Sequence, residues 1–102
     1  MTRDFRYYTL DALGEPVPCA DVLEWADWFE TADRQVASTE VGDARISTVF
    51  LGLDHNYRAV GRPILWETMV FGGLFNGEQD RYETHEQARC GHDAMVAKVS
   101  GQ

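Results

Sequence analysis

Lysine is nearly missing from this chain: Lys98 is the only one among nine basic residues, which face seventeen aspartates and glutamates. A net charge of −8 repels polyphosphates and anionic headgroups, so direct binding to nucleic acid or to an acidic membrane surface is not expected. Nor do the aromatic residues interleave with basic ones as they do in single-strand binders. Cysteine is scarce as well. Cys19 and Cys90 lie far apart with no CxxC spacing, which leaves neither a disulfide framework nor a paired-cysteine zinc site. No apolar run approaches the roughly 18 residues of a membrane span. The opening "MTRDFRYYTL" lacks the apolar centre and cleavage signature of a secretory leader, so the expected location is the cytoplasm. Glycine-rich phosphate loops are missing too, since Phe71-Gly72-Gly73 is too little for one. Ser38, Ser47 and Ser100 lie in no nucleophile motif. There is no repeat, linker or low-complexity tract.

What is present suffices for one core. With 102 residues, 44% of them apolar and 12% aromatic, residues 1–102 are expected to form a single compact domain. Residues 5–10, "FRYYTL", favour a β-strand, and the turn after them leads to a short second strand near Val17, kept to a sheet edge by Pro16 and Pro18. Asp21 followed by Glu24 has the form of a capping box that opens a helix. At 100° per residue Val22, Trp25, Ala26 and Phe29 fall on one arc, flanked by Leu23 and Trp28. That arc is expected to face the sheet, with Trp28 at its margin beside Glu24.

Gly42-Asp43 has the composition of a two-residue hairpin loop, which would set Val41 opposite Ala44 and Glu40 opposite Arg45. After a polar loop over residues 54–63, "ILWETMVFGG" reads as a central strand paired antiparallel with residues 45–53. A turn at Asn76-Gly77 then allows "DRYE" to pair back as a short strand. Thr84 with Gln87 caps a last helix, whose buried stripe is Ala88, Gly91, Met95 and Val99. Gly91 in mid-helix costs about 1 kcal/mol against alanine, which a close approach to the sheet would explain. The architecture expected is α+β: a mainly antiparallel sheet of four to six strands with two helices on one face.

Candidate functional residues are few. Residues 21–33, "DVLEWADWFETAD", place Asp21, Glu24, Asp27, Glu30 and Asp33 at every third position around Trp25, Trp28 and Phe29. Because each acid steps back about 60° on the helical wheel, they wind round the helix instead of forming a row. Trp28 with Glu24 and Asp27 is a candidate binding surface for a basic protein, an aromatic anchor ringed by acids. Glu67 is odd in an otherwise apolar strand; it is expected to pair with Arg45, Arg62 or Arg81 or to meet water, and otherwise to be a ligand-binding acid or general base. Asp54 and His55 arrive at a strand end, where sites often lie. His85 and His92 stand two helical turns apart, about 10 Å, too far for one ion to take both. Neither metal nor cofactor is expected, and His92 is expected to pack beside the sheet or cap a loop.

"STVFLGLDHN", "WETMVFGG", "RYET" and the Gly91-His92 pair of the last helix resemble a family of small uncharacterised proteins frequent in phages and prophages of actinobacteria and related bacteria. The resemblance runs from about Trp25 to His92. Trp66 stands where the family pattern has phenylalanine, and the stretch from Arg58 to Arg62 replaces a loop richer in glycine and proline. The family brings no activity to this chain; it implies an accessory protein of a phage or mobile element, working inside the bacterial host cell. The leading expectation is therefore a non-enzymatic protein-binding module. Second comes an acidic, nucleic-acid-mimicking inhibitor of a host defence complex of restriction or CRISPR type. Third is a small enzyme using Glu67 and His55.

Overall fold

The computed structural model describes residues 6–58 and 60–101. Strands β1 (Tyr7–Leu10) and β2 (Pro16–Cys19) form an antiparallel hairpin, with Tyr7 opposite Cys19. The other edge of β1 is met by the chain at Gly52–Asp54, through bonds from Tyr8 N to Gly52 O and from Asp54 N to Arg6 O. Helix α1 (Val22–Thr31) begins where the Asp21 carboxylate accepts from the amides of Leu23 and Glu24. It ends at Ala32, whose extended backbone leads into the next strand.

Strands β3 (Gln35–Val41), β4 (Ala44–Phe50), β5 (Trp66–Phe71) and β6 (Gln79–Tyr82) make an antiparallel sheet in sequence order, so β4 and β5 are central. Val41 opposes Ala44 and Glu40 opposes Arg45, the register that a two-residue loop at Gly42-Asp43 requires. Across β4 and β5, Ile46, Thr48 and Phe50 oppose Val70, Thr68 and Trp66. Side chains alternate between faces, so these six share one face, and they are the largest fully buried side chains of the fold.

Helix α2 (His85–Val99) covers that face. Thr84 caps it by accepting from Gln87 N, while Gln87 Oε1 reaches back to accept from Glu83 N. Ala88, His92 and Met95 are its buried residues. Gly91 is needed because a Cβ there would overlap the Tyr82 ring and hydroxyl, so α2 lies closer to β6 than any larger residue allows. The core has two apolar clusters. Phe50, Leu65, Trp66, Tyr82 and Ala88 join Tyr8 in one, and Ala44, Ile46, Val70 and Met95 form the other. Each fully buried large apolar side chain contributes roughly 1.5–3 kcal/mol. Thr48, Thr68 and His92 form a buried polar band in the same helix–sheet layer.

The fold is thus α+β, with two helices and six strands among the described residues. Helix α1 needs a correction. Val22 and Ala26 are exposed and no α1 residue is fully buried. Its inner stripe is Trp25, Trp28, Phe29 and, just beyond it, Ala32, all half-buried and turned about 60° from the expected arc. The reason is area: an inward Trp28 buries far more apolar surface than an inward Ala26. Trp28 packs edge-on against Phe50 at 6.0 Å, which brings α1 to the same sheet face as α2. Trp25 instead serves the hairpin, packing at a tilt against Tyr7 and Phe29 and donating its indole N–H to Tyr8 O. Gly52, at φ 74°, passes beneath these rings; a Cβ there would lie 3.3 Å from Phe29 and from Trp25 Nε1.

Candidate functional site

The acids of the α1 region all reach solvent: Asp21, Glu24, Asp27, Glu30 and Asp33 are exposed. Between them Leu23 is 75% exposed and Val22 46%. Leu23, Ala26, Asp27 and Glu30 recur at i, i+3, i+4 and i+7, so an outer stripe of the helix combines acids with uncovered apolar surface. Trp28 stands on the opposite side, anchoring the helix on Phe50.

Asp54 is 3% exposed. Its Oδ1 accepts from Asn56 N at 2.7 Å and from Ile64 N at 2.9 Å, which staples both ends of the loop that follows β4. Asn56 continues the staple, donating through Nδ2 to Arg62 O and accepting at Oδ1 from Arg58 N. His55 is half-buried, donates Nδ1–H to Leu53 O at 2.7 Å, and lies beside Tyr57. Glu67 is on the sheet face away from α2. It accepts from Arg81 Nε at 2.9 Å, its cross-strand partner and one of the arginines expected from the sequence. Glu67 and His55 share no hydrogen bond; each is engaged elsewhere. Glu24 and Asp27 are likewise remote in role from Asp54, His55 and Glu67, so the sequence candidates do not converge on one cleft. Among the described residues no group of three His, Cys, Asp or Glu is placed to hold a metal ion.

Of the two roles expected for His92, packing beside the sheet or capping a loop, the first is observed, with His92 at the centre of a hydrogen-bonded chain that the sequence does not announce. Tyr82 Oη donates to Thr68 Oγ1 at 3.0 Å, and Thr68 and Thr48 hydroxyls lie 2.5 Å apart. Thr48 Oγ1 is 2.7 Å from His92 Nδ1, and Thr39 Oγ1 is 2.9 Å from Nε2. If Thr68 donates to Thr48 and Thr48 to a neutral Nδ1, the Nε2–H is left for Thr39, and the protons of Tyr82, Thr68, Thr48 and His92 each have an acceptor. An imidazolium would bring a proton to Nδ1 and force the chain to reverse. Burial correspondingly holds the His92 pKa below its ordinary value, against a smaller opposing effect of Asp93. Burial also pushes the Tyr82 phenol up.

A cavity of about 340 Å³ opens between the start of β2 and the start of α2, lined by Glu15, Pro16, Trp66, Glu83, Thr84, His85 and Glu86. Trp66 is 2% exposed, and its Nε1–H is a buried donor with no hydrogen-bond partner. Sequence reading missed this site because its acids come from two distant segments. Glu83 and Glu86 look like ordinary first-turn acids of a helix. The one legible signal was Trp66 itself, whose indole brings an N–H to a mostly apolar strand.

No helix among the described residues is long and apolar enough to cross a membrane. No protein-family model, curated protein or solved structure matches the chain.

Proposed function

We propose that this chain is a non-enzymatic module that binds a basic protein through the outer face of α1, as an accessory protein of a phage or mobile element inside the bacterial cytoplasm. The observation that carries the reading is the state of α1. A helix with no fully buried residue, Leu23 largely uncovered and five acids around it has apolar contact area and a charge preference for a partner. The groups that a small enzyme would use support the same reading. Asp54 staples a loop, Glu67 is paired with Arg81, and His92 is enclosed by threonines.

Capture from host lysate by wild-type protein, by Leu23→Asp and by Glu24→Lys/Asp27→Lys tests this. The expected result is one basic partner held by wild type and lost by both variants. Capture unchanged by either variant would sink the reading. A second reading, mimicry of nucleic acid against a restriction or CRISPR assembly, draws support from the exposure of all five acids of the α1 region. It requires that DNA or RNA compete for the captured partner and that capture fall steeply with salt.

A further inference from the structure

The main sheet ends in two edges that are protected very differently. Strand β6 is four residues long, includes the charged Asp80 and Arg81, and has α2 packed closely on it at Gly91. Short, charged edges of this kind resist further pairing. Strand β3 is seven residues long, QVASTEV, with Glu40 its only charge and neither proline nor glycine. It lies beside β4 and beneath α2, and among the described residues no other element packs on it.

The hairpin register says which backbone groups that edge exposes. With the two-residue loop at Gly42-Asp43, Val41 and Ala44 bond to each other, and every second pair repeats this. The bonded pairs are then Thr39 with Ile46 and Ala37 with Thr48, so Ser38 and Glu40 turn their N–H and C=O groups outward. Among the described residues, neither Ser38 nor Glu40 makes a backbone bond to another segment on that side. A second copy brought up antiparallel, with a two-fold axis at Thr39, sets Ser38 of each copy opposite Glu40 of the other. Both members of each pair have outward groups, so each pair exchanges both of its N–H···O bonds across the seam.

The side chains agree with that register. The Ser38 hydroxyl meets the Glu40 carboxylate, whereas an axis at Glu40 would set like charges against each other. An axis at Ser38 would run the pairing into the register shift between Gln35 and Ala37. The axis at Thr39 uses residues 37–41 alone, and on the helix side it sets Thr39 against Thr39 and Ala37 against Val41.

Helix α2 supplies an independent match. His92 bonds to Thr39 at 2.9 Å while Gly91 abuts Tyr82, so the flank turned toward the β3 edge carries Arg89, Asp93 and Val96. Arg89 and Asp93 are exposed, and neither forms an ion pair within the chain among the described residues. A two-fold axis at Thr39 runs the two helices antiparallel, with His92 of each beside the axis. It therefore turns Arg89 of each copy toward Asp93 of the other.

We propose that this protein forms a symmetric dimer by pairing β3 with β3 of a second copy about Thr39, which joins the two four-stranded sheets into one. A strand of some other protein is the competing occupant of this edge. It gives no reason for the match of Ser38 with Glu40 or of Arg89 with Asp93. The seam is short and buries little apolar surface, so the dimer is a weak one, forming between roughly 10 μM and 1 mM. The assembly goes beyond the reading of α1 and holds without it.

Sedimentation equilibrium across that concentration range should show monomer passing reversibly into dimer. Ser38→Pro removes an outward N–H from each copy and leaves the β4 ladder whole, so it should weaken the dimer about tenfold or more. Arg89→Asp should weaken it about threefold, and Arg89→Asp/Asp93→Arg should restore it. The register is read by disulfide formation in a Cys19→Ser/Cys90→Ser background. Ser38→Cys and Glu40→Cys copies, mixed, should link to each other in preference to themselves, since bonded antiparallel pairs lie within disulfide reach. A monomer throughout the range would overturn the proposal. So would association indifferent to a folded Ser38→Pro protein or to Arg89→Asp, a double exchange that fails to restore it, or a preference for like-with-like disulfides. Should Ser38→Pro unfold the chain, the charge exchange and the disulfides decide. Leu23→Asp should dimerise as wild type does; loss of the dimer there would move the contact to α1.

Discussion

Helix α1 contains three large aromatics and α2 contains none, yet α2 is the better buried of the two. The surfaces they meet explain the inversion. Helix α2 lies across a four-stranded sheet whose inner face is broad enough to enclose Ala88, His92 and Met95. Helix α1 meets a two-stranded hairpin and a bend at Gly52, and a two-stranded unit cannot enclose a helix. The apolar content of a helix sets how much it could gain from burial. The partner surface sets how much it does gain.

Large-to-small changes give the strongest test of that contrast. Phe50→Ala, beneath the helices, should cost about 3–5 kcal/mol, whereas Trp25→Ala, half-buried on the hairpin, should cost roughly 1–2.5 kcal/mol. Equal shifts in urea midpoint would break the contrast. Next come substitutions at the helix backbones. Gly91→Ala should gain about 1 kcal/mol of helix propensity but lose more to overlap with Tyr82, a net loss of about 1–2 kcal/mol. Ala26→Gly on exposed α1 should cost only the propensity, about 1 kcal/mol. A stabilised Gly91→Ala protein would mean that α2 is not in close contact with β6.

A smaller effect depends on pH and belongs to the α2 side alone. His92 has its pKa lowered in the folded state, so the unfolded chain takes up the proton first, near the ordinary pKa of about 6.5. The contribution of neutral His92 is therefore complete above that pH. It is lost as pH falls from there toward the lower folded value. The melting temperature should drop as pH falls below about 6.5, and His92→Gln should flatten the drop while lowering stability at the upper pH. A profile unchanged by His92→Gln would remove the buried neutral imidazole from the account. The smallest effects are at the surface. Glu67→Gln should cost about 0.2–1 kcal/mol, since Arg81 is partly exposed, and Leu23→Asp less than about 0.5 kcal/mol. A large loss with Leu23→Asp would show that α1 is covered after all.

The sheet was legible because its signals are local. Gly42-Asp43 defined a loop, and the loop defined the register of Val41 with Ala44 and Glu40 with Arg45. The apolar run around Trp66–Phe71 could only be central, and Thr84 with Gln87 marked the start of α2. Glu67 was legible in chemistry but open in partner: the sequence offered three arginines, and the β5–β6 register selected Arg81. The face of α1 was misjudged because Ala26 and Trp28 both border its apolar arc, and periodicity alone does not weigh their areas. Asp54 read as a site residue because a carboxylate at a strand end looks the same whether it holds a ligand or a loop.

Composition and pattern by themselves determined the charge, the α+β class, the strand order of the main sheet and both helix starts. All of these follow from residues within a few positions of one another, or from sums over the chain. Tertiary structure alone decided the chain from Tyr82 to Thr39 through His92, the close approach at Gly91, and the meeting of Glu15 with Glu83 and Glu86 beside Trp66. Those side chains are separated by dozens of residues, and polar groups carry no periodic signature of their partners. Only closure of the helix onto the sheet excludes water from them, and that exclusion is what makes each hydroxyl, imidazole or indole N–H need a specific neighbour.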